Sequence, residues 1–356
     1  MIRMSLETFL RETSKIRHFR VDRTFLEDVL RLMLEKQPRD LWELLRNSDE
    51  DFEGIIGILM QLHQKRMIKI FDNGKFILTK KGKDFAKKMV PVMVPKSYKT
   101  RYSYPLPKPM QTILKKIKRI YKQIKPKDEY EQGSLRPEAS MRKVAYAINR
   151  NDIAGKNVVC VGDDDLLSII MGMTGLPKSI LVVDIDKDIL SLIRKYRKKL
   201  SVPITTISHN LCYPIPSKFR GKYDTFLAQP PDTVLGYTLF LSRGVELLKK
   251  ESGKIGYGGL TPTACPRKAL IEIQNIIVKM DLVQTDYVRK FCEYPPLRTE
   301  IRKVQLPDYI PFPTNKIWYV SDLQRLKTTT KTKPYYRGMV KGDIADYKHD
   351  ERVYGK

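Results

Sequence analysis

VVCVGDDDLLS, residues 158–168, decides how this chain is read. VVCV is apolar without alternation, as expected of a parallel strand covered on both faces. Gly162 ends the run, and DLLSIIMGM continues it with helical spacing. This is the outline of a first strand entering its ligand loop. Such loops ordinarily use glycines to bring backbone amides to an anion. Here a single glycine is followed by Asp163, Asp164 and Asp165. Adjacent carboxylates repel one another unless a cation sits among them. The loop therefore predicts a cationic ligand, with a hard cation such as magnesium as the other way to offset the charge.

Outward from this stretch, strands and helices alternate. NVVCVG, ILVVDID, ITTISHN, YDTFLAQ and KIGYGGL read as strands. DLLSIIMGM, DILSLIRKYRKKL, VLGYTLFLSRGVELLK and ALIEIQNIIVKM read as the intervening helices. DLVQTDYVRKF and KIWYVSD are late strands, and residues 323–356 are expected to form a basic, flexible tail. The alternation predicts an α/β domain with a doubly wound, Rossmann-like parallel sheet.

Ligands of such sheets sit at the carboxyl ends of the strands. Four ends carry candidates. Gly162 and the three aspartates close the first. Asp184, with Asp186, closes the second, about 20 residues downstream, where a carboxylate commonly accepts ribose hydroxyls. Asn210 closes the third, placed for an adenine edge. Gln229, Pro230 and Asp232 lie in the rigid QPPDT loop after the fourth. Each aspartate alone also reads as a helix N-cap or a partner of the helix dipole. Together they favour a binding site for a cation, each charge-assisted hydrogen bond contributing roughly 1.5–3 kcal/mol.

The rest of the chain is organised differently. Residues 1–90 give helical patterns at 24–36, 40–47 and 51–66. A hairpin signal follows at Asn73-Gly74, predicting a type I′ turn, and then a last helix. Three helices and a hairpin are the order of a small winged-helix domain. Residues 91–129 form a Pro-containing linker around one basic amphipathic helix, TILKKIKRIYKQI. The net charge is +27, and residues 61–130 hold 20 Lys and Arg against 4 Asp and Glu. That block fits either a solvated, lysine-rich surface of a thermophilic protein or a nucleic-acid partner. Cys160, Cys212, Cys265 and Cys292 form no CxxC pair, so neither zinc nor a disulfide framework is expected. With no long apolar run and no secretory pattern, no membrane span is expected, and the cytoplasm is the default location.

The segments YEQG (130–133), VGDDDLLS (161–168), GLPKSILVVDID (175–186), YDTFLAQPPDT (223–233) and GYGGLT (256–261) resemble the archaeal and bacterial branched-chain polyamine synthases, the bis(aminopropyl)spermidine synthases. The resemblance implies a winged-helix-like domain ahead of an aminopropyltransferase domain over 130–322. It implies decarboxylated S-adenosylmethionine as co-substrate, a polyamine such as spermidine as acceptor, no permanently bound cofactor, and a homodimer. It places Asp163, Asp164 and Asp232 in catalysis. Gly162, Asp165, Asp184, Asp186, Asn210, Gln229 and Pro230 would hold the nucleoside, and Tyr130 and Gln132 the substrate.

This chain departs from the pattern at Gln229 and Asn210, where the family carries Asp. PTAC follows GYGGLT where charged residues are expected. A catalytically weakened, nucleic-acid-binding homologue is therefore the alternative. An ordinary methyltransferase ranks last, because no aromatic residue follows Pro230-Pro231.

Overall fold

The computed structural model describes residues 6–16, 21–41, 43–44, 48, 52–98, 106–130, 132–133, 135–261, 265, 267–294 and 320–344. The chain divides into two compact units, Met1–Met93 and Val94–Lys356.

In the first unit, α1 (Leu6–Ile16), α2 (Arg23–Glu35) and α3 (Phe52–Gln64) precede a two-stranded sheet of β1 (Ile68–Ile70) and β2 (Phe76–Leu78), followed by α4 (Lys80–Met89). Asp22 caps α2 by accepting from the Phe25 amide at 3.0 Å. Phe9, Leu26, Val29, Leu30, Met33, Ile55 and Ile58 close one apolar core with Phe76 and Leu78 of the hairpin. The turn is not type I′. Gly74 alone has a left-handed φ, +74°, and Asn73 does not. The Gly74 amide bonds Phe71 O at 2.9 Å and the Phe71 amide bonds Lys75 O at 2.8 Å. This is a three-residue loop with glycine in the left-handed position. The helix expected over 40–47 lies only partly within the described residues.

In the second unit, α5 (Lys108–Tyr121) and α6 (Pro137–Asn149) lead into β3 (Asn157–Val161), α7 (Leu167–Thr174), β4 (Ser179–Asp184), α8 (Lys187–Arg197), β5 (Ile204–Ser208), β6 (Thr225–Ala228), α9 (Val234–Leu247), β7 (Ile255–Leu260), α10 (Arg267–Lys279), β8 (Leu282–Glu293) and β9 (Val320–Thr328). The sheet order is β5-β4-β3-β6-β7-β9-β8. β3 to β7 are parallel, and β9 runs antiparallel between β7 and β8.

Both faces of the sheet are covered, which is why its central strands do not alternate. Val158 and Cys160 pack with α5 to α8, whereas Val159 and Val161 pack with α9 and α10. The helix of the predicted linker is part of this unit. Ile113, Ile117 and Ile120 of α5 are buried in the same core as α6 and α7.

The predicted tail is corrected by the structure. Residues 320–328 form a strand inside the sheet, and residues through 344 are docked against α9. Buried polar residues disguised the strand. Gln324 is 1 % exposed and accepts from the Tyr237 hydroxyl at 3.0 Å. Arg325 is 5 % exposed and binds Asp152 through two nitrogens at 2.8 and 2.9 Å. Among the described residues, no helix is long and apolar enough to cross a membrane.

Candidate active site

The chain crosses from β5 over to β6 on the other side of β3, creating a crevice at the carboxyl ends of these strands. A cleft of about 280 Å³ opens there. Its lining includes Tyr130, Gln132, Gly162, Asp164, Asp184, Asn210 and Pro231. Its remaining walls come from Glu129, from Val183 and Ile185, from His209 to Cys212, from Phe240 of α9, and from Gly342, Asp343 and Ile344.

The three aspartates do not act as one row. Gly162 takes φ +73°, which turns the chain sharply as it leaves β3. The Asp163 amide then donates to Asp184 Oδ2 at 2.8 Å, linking the two loops. The Asp163 side chain turns inward, accepting from the amide and hydroxyl of Ser168 at the start of α7. Asp165 also turns inward. Its Oδ1 accepts the Leu135 amide at 2.7 Å, while its buried Oδ2 has no hydrogen-bond partner. Asp164 alone of the three lines the cleft.

Burial raises all three carboxyls. Asp163 is pushed up to about 8, with Ser168 pulling it down and Asp184 and Asp165 adding to the rise. Asp165 is pushed up to about 6, held back by the Lys143 ammonium nearby. Asp164 stands well above the usual carboxylate range, first from burial and then from Asp165, Asp184 and Asp163. Asp184 is also raised by burial, although its two oxygens accept the Asp163 and Asp186 amides at 2.8 Å each. Among the described residues, none of these four carboxylates forms an ion pair.

Asp186 behaves in the opposite way. Its Oδ1 accepts Lys127 Nζ and the Asp188 amide, each at 2.8 Å, and its Oδ2 accepts Gln132 Nε2 at 2.9 Å. Burial works against its ionisation, but the bonds from Lys127 and Gln132 hold it below the usual range. Asp186 therefore caps α8 and fixes the 127–132 segment, which places Tyr130 and Gln132 at the cleft. Asn210 Oδ1 accepts the Cys212 amide at 2.9 Å, so its side chain also shapes the loop it lines.

The cleft does not gather every residue singled out from the sequence. Asp163, Asp165, Asp186, Gln229, Pro230 and Asp232 are outside its lining. The physical reason is common to the acids: buried backbone donors claim them. Asp232 Oδ1 accepts the Thr261 amide at 2.6 Å, and burial pushes its carboxyl up to about 7. Gln229 Oε1 accepts Lys143 Nζ at 2.9 Å, and Lys143, wholly buried, also bonds Ala228 O at 2.9 Å. A Cβ on Gly259 would stand 2.1 Å from the Gln229 amide oxygen, so that glycine makes the room Gln229 occupies.

Sequence reasoning missed the wall at 342–344 and the residue that holds it. Arg243 of α9 is completely buried. Its guanidinium donates to Leu211 O at 2.8 Å, Cys212 O at 3.3 Å, Tyr336 O at 3.2 Å and Gly338 O at 2.7 Å, and pairs with Glu246 at 2.5 Å. It ties the loop after β5 to the late segment. An arginine within an otherwise apolar helical pattern was the available signal.

A mainly parallel sheet of this order, with a carboxylate at the end of its second strand and a cleft above the crossover, defines the Rossmann-like class that includes the methyltransferases and aminopropyltransferases. Within it, residues 112–353 match the family model of the branched-chain polyamine synthase A C-terminal domain, and the chain belongs to that family of transferases.

Over 340 residues it is 31 % identical to N(4)-bis(aminopropyl)spermidine synthase of Methanocaldococcus jannaschii, covering 89 % of this chain and 91 % of that one. Over 263 residues it is 30 % identical to the Thermococcus kodakarensis enzyme of the same name, covering 72 % and 74 %. The fold is also that of the Thermus thermophilus branched-chain polyamine synthase, solved in complex with N4-aminopropylspermidine and 5'-methylthioadenosine. The TM-score is 0.62 at 24 % identity, covering 97 % of this chain and 98 % of that one.

Proposed function

We propose that the protein transfers aminopropyl groups from decarboxylated S-adenosylmethionine to a polyamine such as spermidine, giving a branched-chain product. The observation that carries this reading is Asp164, facing the cleft beside Asp163, Asp165 and Asp184, none of which forms an ion pair among the described residues. A doubly cationic donor relieves that repulsion, whereas the carboxylate of ordinary S-adenosylmethionine adds to it.

The transfer is a displacement. The acceptor nitrogen, deprotonated, attacks the methylene carbon bonded to sulfur. The carbon–sulfur bond breaks, its electron pair neutralises the sulfonium, and methylthioadenosine leaves. After a first transfer to the secondary amine the new ammonium loses a proton to a base; a second transfer to the resulting tertiary amine leaves a quaternary ammonium, with no proton to lose. Asp164 is assigned as amine anchor and proton acceptor, because it is the one of the three aspartates that lines the cleft. Asp184 is assigned to the ribose and Asn210 to the adenine. Tyr130 and Gln132 are assigned to the substrate at the cleft mouth. Asp163, Asp165, Asp186, Gln229, Pro230 and Asp232 are assigned to holding the loops.

Incubation of the purified protein with decarboxylated S-adenosylmethionine and spermidine is expected to release methylthioadenosine, and Asp164→Asn to abolish the release. No release with any polyamine acceptor removes this reading. Calorimetry with the donor bearing or lacking its carboxylate isolates the charge argument, and tighter binding of the carboxylated form would reverse it.

A second reading keeps the nucleic-acid partner. The order of helices and hairpin in the first unit supports a winged-helix module, and Lys81, Lys83, Lys87 and Lys88 of α4 are exposed. Binding to phosphates through these lysines weakens by orders of magnitude between about 50 and 200 mM salt. Salt-insensitive binding, or none, counts against it. A cytoplasmic homodimer is the assembly proposed, to be checked by sedimentation.

A further inference from the structure

A larger cavity, about 790 Å³, lies at the opposite end of the sheet from the cleft. It is bounded by the carboxyl end of α9, the loop into β7 and the chain leaving β9. Its walls carry Arg220, Lys249, Lys250, Lys333 and Arg337 against two acids, Glu246 and Glu251.

Both acids are already committed. Glu246 pairs with the buried Arg243 at 2.5 Å and with Arg220 at 3.6 Å, and Glu251 pairs with Lys254 at 2.9 Å. Lys249 is taken by Asp224 at 2.7 Å. The last carbonyls of α9 are occupied too: Glu246 O accepts the Gly221 amide at 3.1 Å, and Leu247 O accepts the Lys222 amide at 3.0 Å. Lys250, Lys333 and Arg337 form no ion pair among the described residues. Three cations therefore face a cavity whose own negative groups are spent.

The mount is rigid. Arg243 holds the carbonyls on either side of Arg337, at Tyr336 and Gly338, at 3.2 and 2.7 Å. The Lys333 amide bonds Met280 O at 3.1 Å. The Thr329 amide bonds Thr332 Oγ1 at 2.7 Å, closing the turn between β9 and Lys333.

We infer that this cavity binds a nucleotide-sized ligand through a run of adjacent phosphates, the class of a nucleoside triphosphate. Phosphates suit a planar guanidinium and two ammonium groups. The volume lies within the roughly 300–1,000 Å³ of small-ligand sites. Val245, Leu248 and Pro334 add apolar wall for the body of the molecule. A nucleic-acid backbone offers the same phosphates but has its bulk outside so small a chamber.

The test is calorimetry of the full chain with tripolyphosphate, ATP and a short single-stranded RNA, at about 0.15 M ionic strength. ATP and tripolyphosphate are expected to bind with one site, and the RNA to compete for that site at least tenfold more weakly. The double substitution Lys333→Ala/Arg337→Ala is expected to weaken ATP at least tenfold, and Arg337→Lys to give an intermediate loss. Lys115→Ala/Lys116→Ala, on the exposed face of α5, is expected to leave binding unchanged. The inference is overturned if neither phosphate compound binds, if the RNA displaces bound ATP as readily as tripolyphosphate does, or if the α5 substitutions weaken ATP as much as the cavity ones. Circular dichroism of each variant identifies a loss caused by misfolding, and Arg337→Lys carries the test if the double variant misfolds.

Discussion

The two ends of the large sheet treat their acids in opposite ways. At the amino end, Asp152 is gripped by Arg325, and Asp224 accepts Lys249 at 2.7 Å with Lys254 at 3.6 Å. Burial works against Asp224, but Lys249 and its other partners hold it below the usual range. At the carboxyl end, Asp163, Asp164, Asp165 and Asp184 are all raised by burial, Asp163 and Asp164 also by their acidic neighbours, and Asp164 meets the cleft. One end uses charge to hold itself together. The other leaves its buried acids without ion-pair partners among the described residues. A chain of net charge +27 has lysines enough to neutralise both ends, so the difference is one of placement.

The comparison breaks most sharply at Arg325. Replacing it by alanine strands Asp152 in the interior, an expected loss of about 3–5 kcal/mol, measured by denaturant unfolding. A loss under 1 kcal/mol would deny that the amino end depends on its pairs. At the other end, Asp164→Asn should lower methylthioadenosine release by roughly 10²-fold or more. It should also leave stability unchanged or higher, since it removes a repelling charge. A destabilised Asp164→Asn protein would contradict the contrast.

A pH series separates the ends further. Asp163 is raised in the fold to about 8. Its protonated form therefore stabilises the fold fully below the unfolded carboxylate pKa near 4, and that contribution is lost as pH climbs to about 8. The fall is at most about 1.4 kcal/mol per pH unit for one proton. Asp163→Asn should flatten it. Asp224, being lowered, stabilises above its unfolded pKa and loses that contribution as pH drops through its folded value. Unfolding midpoints insensitive to pH between about 5 and 8 would refute the first half.

The smallest effect is expected at Lys127, whose Nζ bonds Asp186 at 2.8 Å and Asp188 at 2.7 Å. Lys127→Ala should raise KM for the amine a few-fold through Tyr130 and Gln132, with kcat nearly constant. A kcat effect instead would place Lys127 nearer the chemistry.

The parallel strands were legible because a strand buried on two faces has little choice but Val, Ile and Leu. The loops at their ends were legible for the same reason: polarity resumes where the sheet stops. Which acid faces the ligand was not. Asp163, Asp164 and Asp165 are identical in composition, and their directions follow from Ser168 and Leu135, whose hydrogen bonds exist only in the folded loop. β9 was hidden because Gln324 and Arg325 are inside it, satisfied by Tyr237 and Asp152 from distant parts of the chain. The wall at 342–344 has no pattern of its own; Gly342 takes φ +131°, and the segment is anchored by Arg243 and by Thr233, whose hydroxyl donates to Ile344 O at 2.6 Å.

That anchoring sets an order of events on the ribosome. A nascent chain that has reached only the end of α10 already possesses the glycine–aspartate loop and the cleft-lining Asp184. It still lacks both β9 and the wall of the cleft at 342–344, and its Arg243 has no Tyr336 or Gly338 carbonyl to bind. The cleft is thus completed only after most of the sheet has been made.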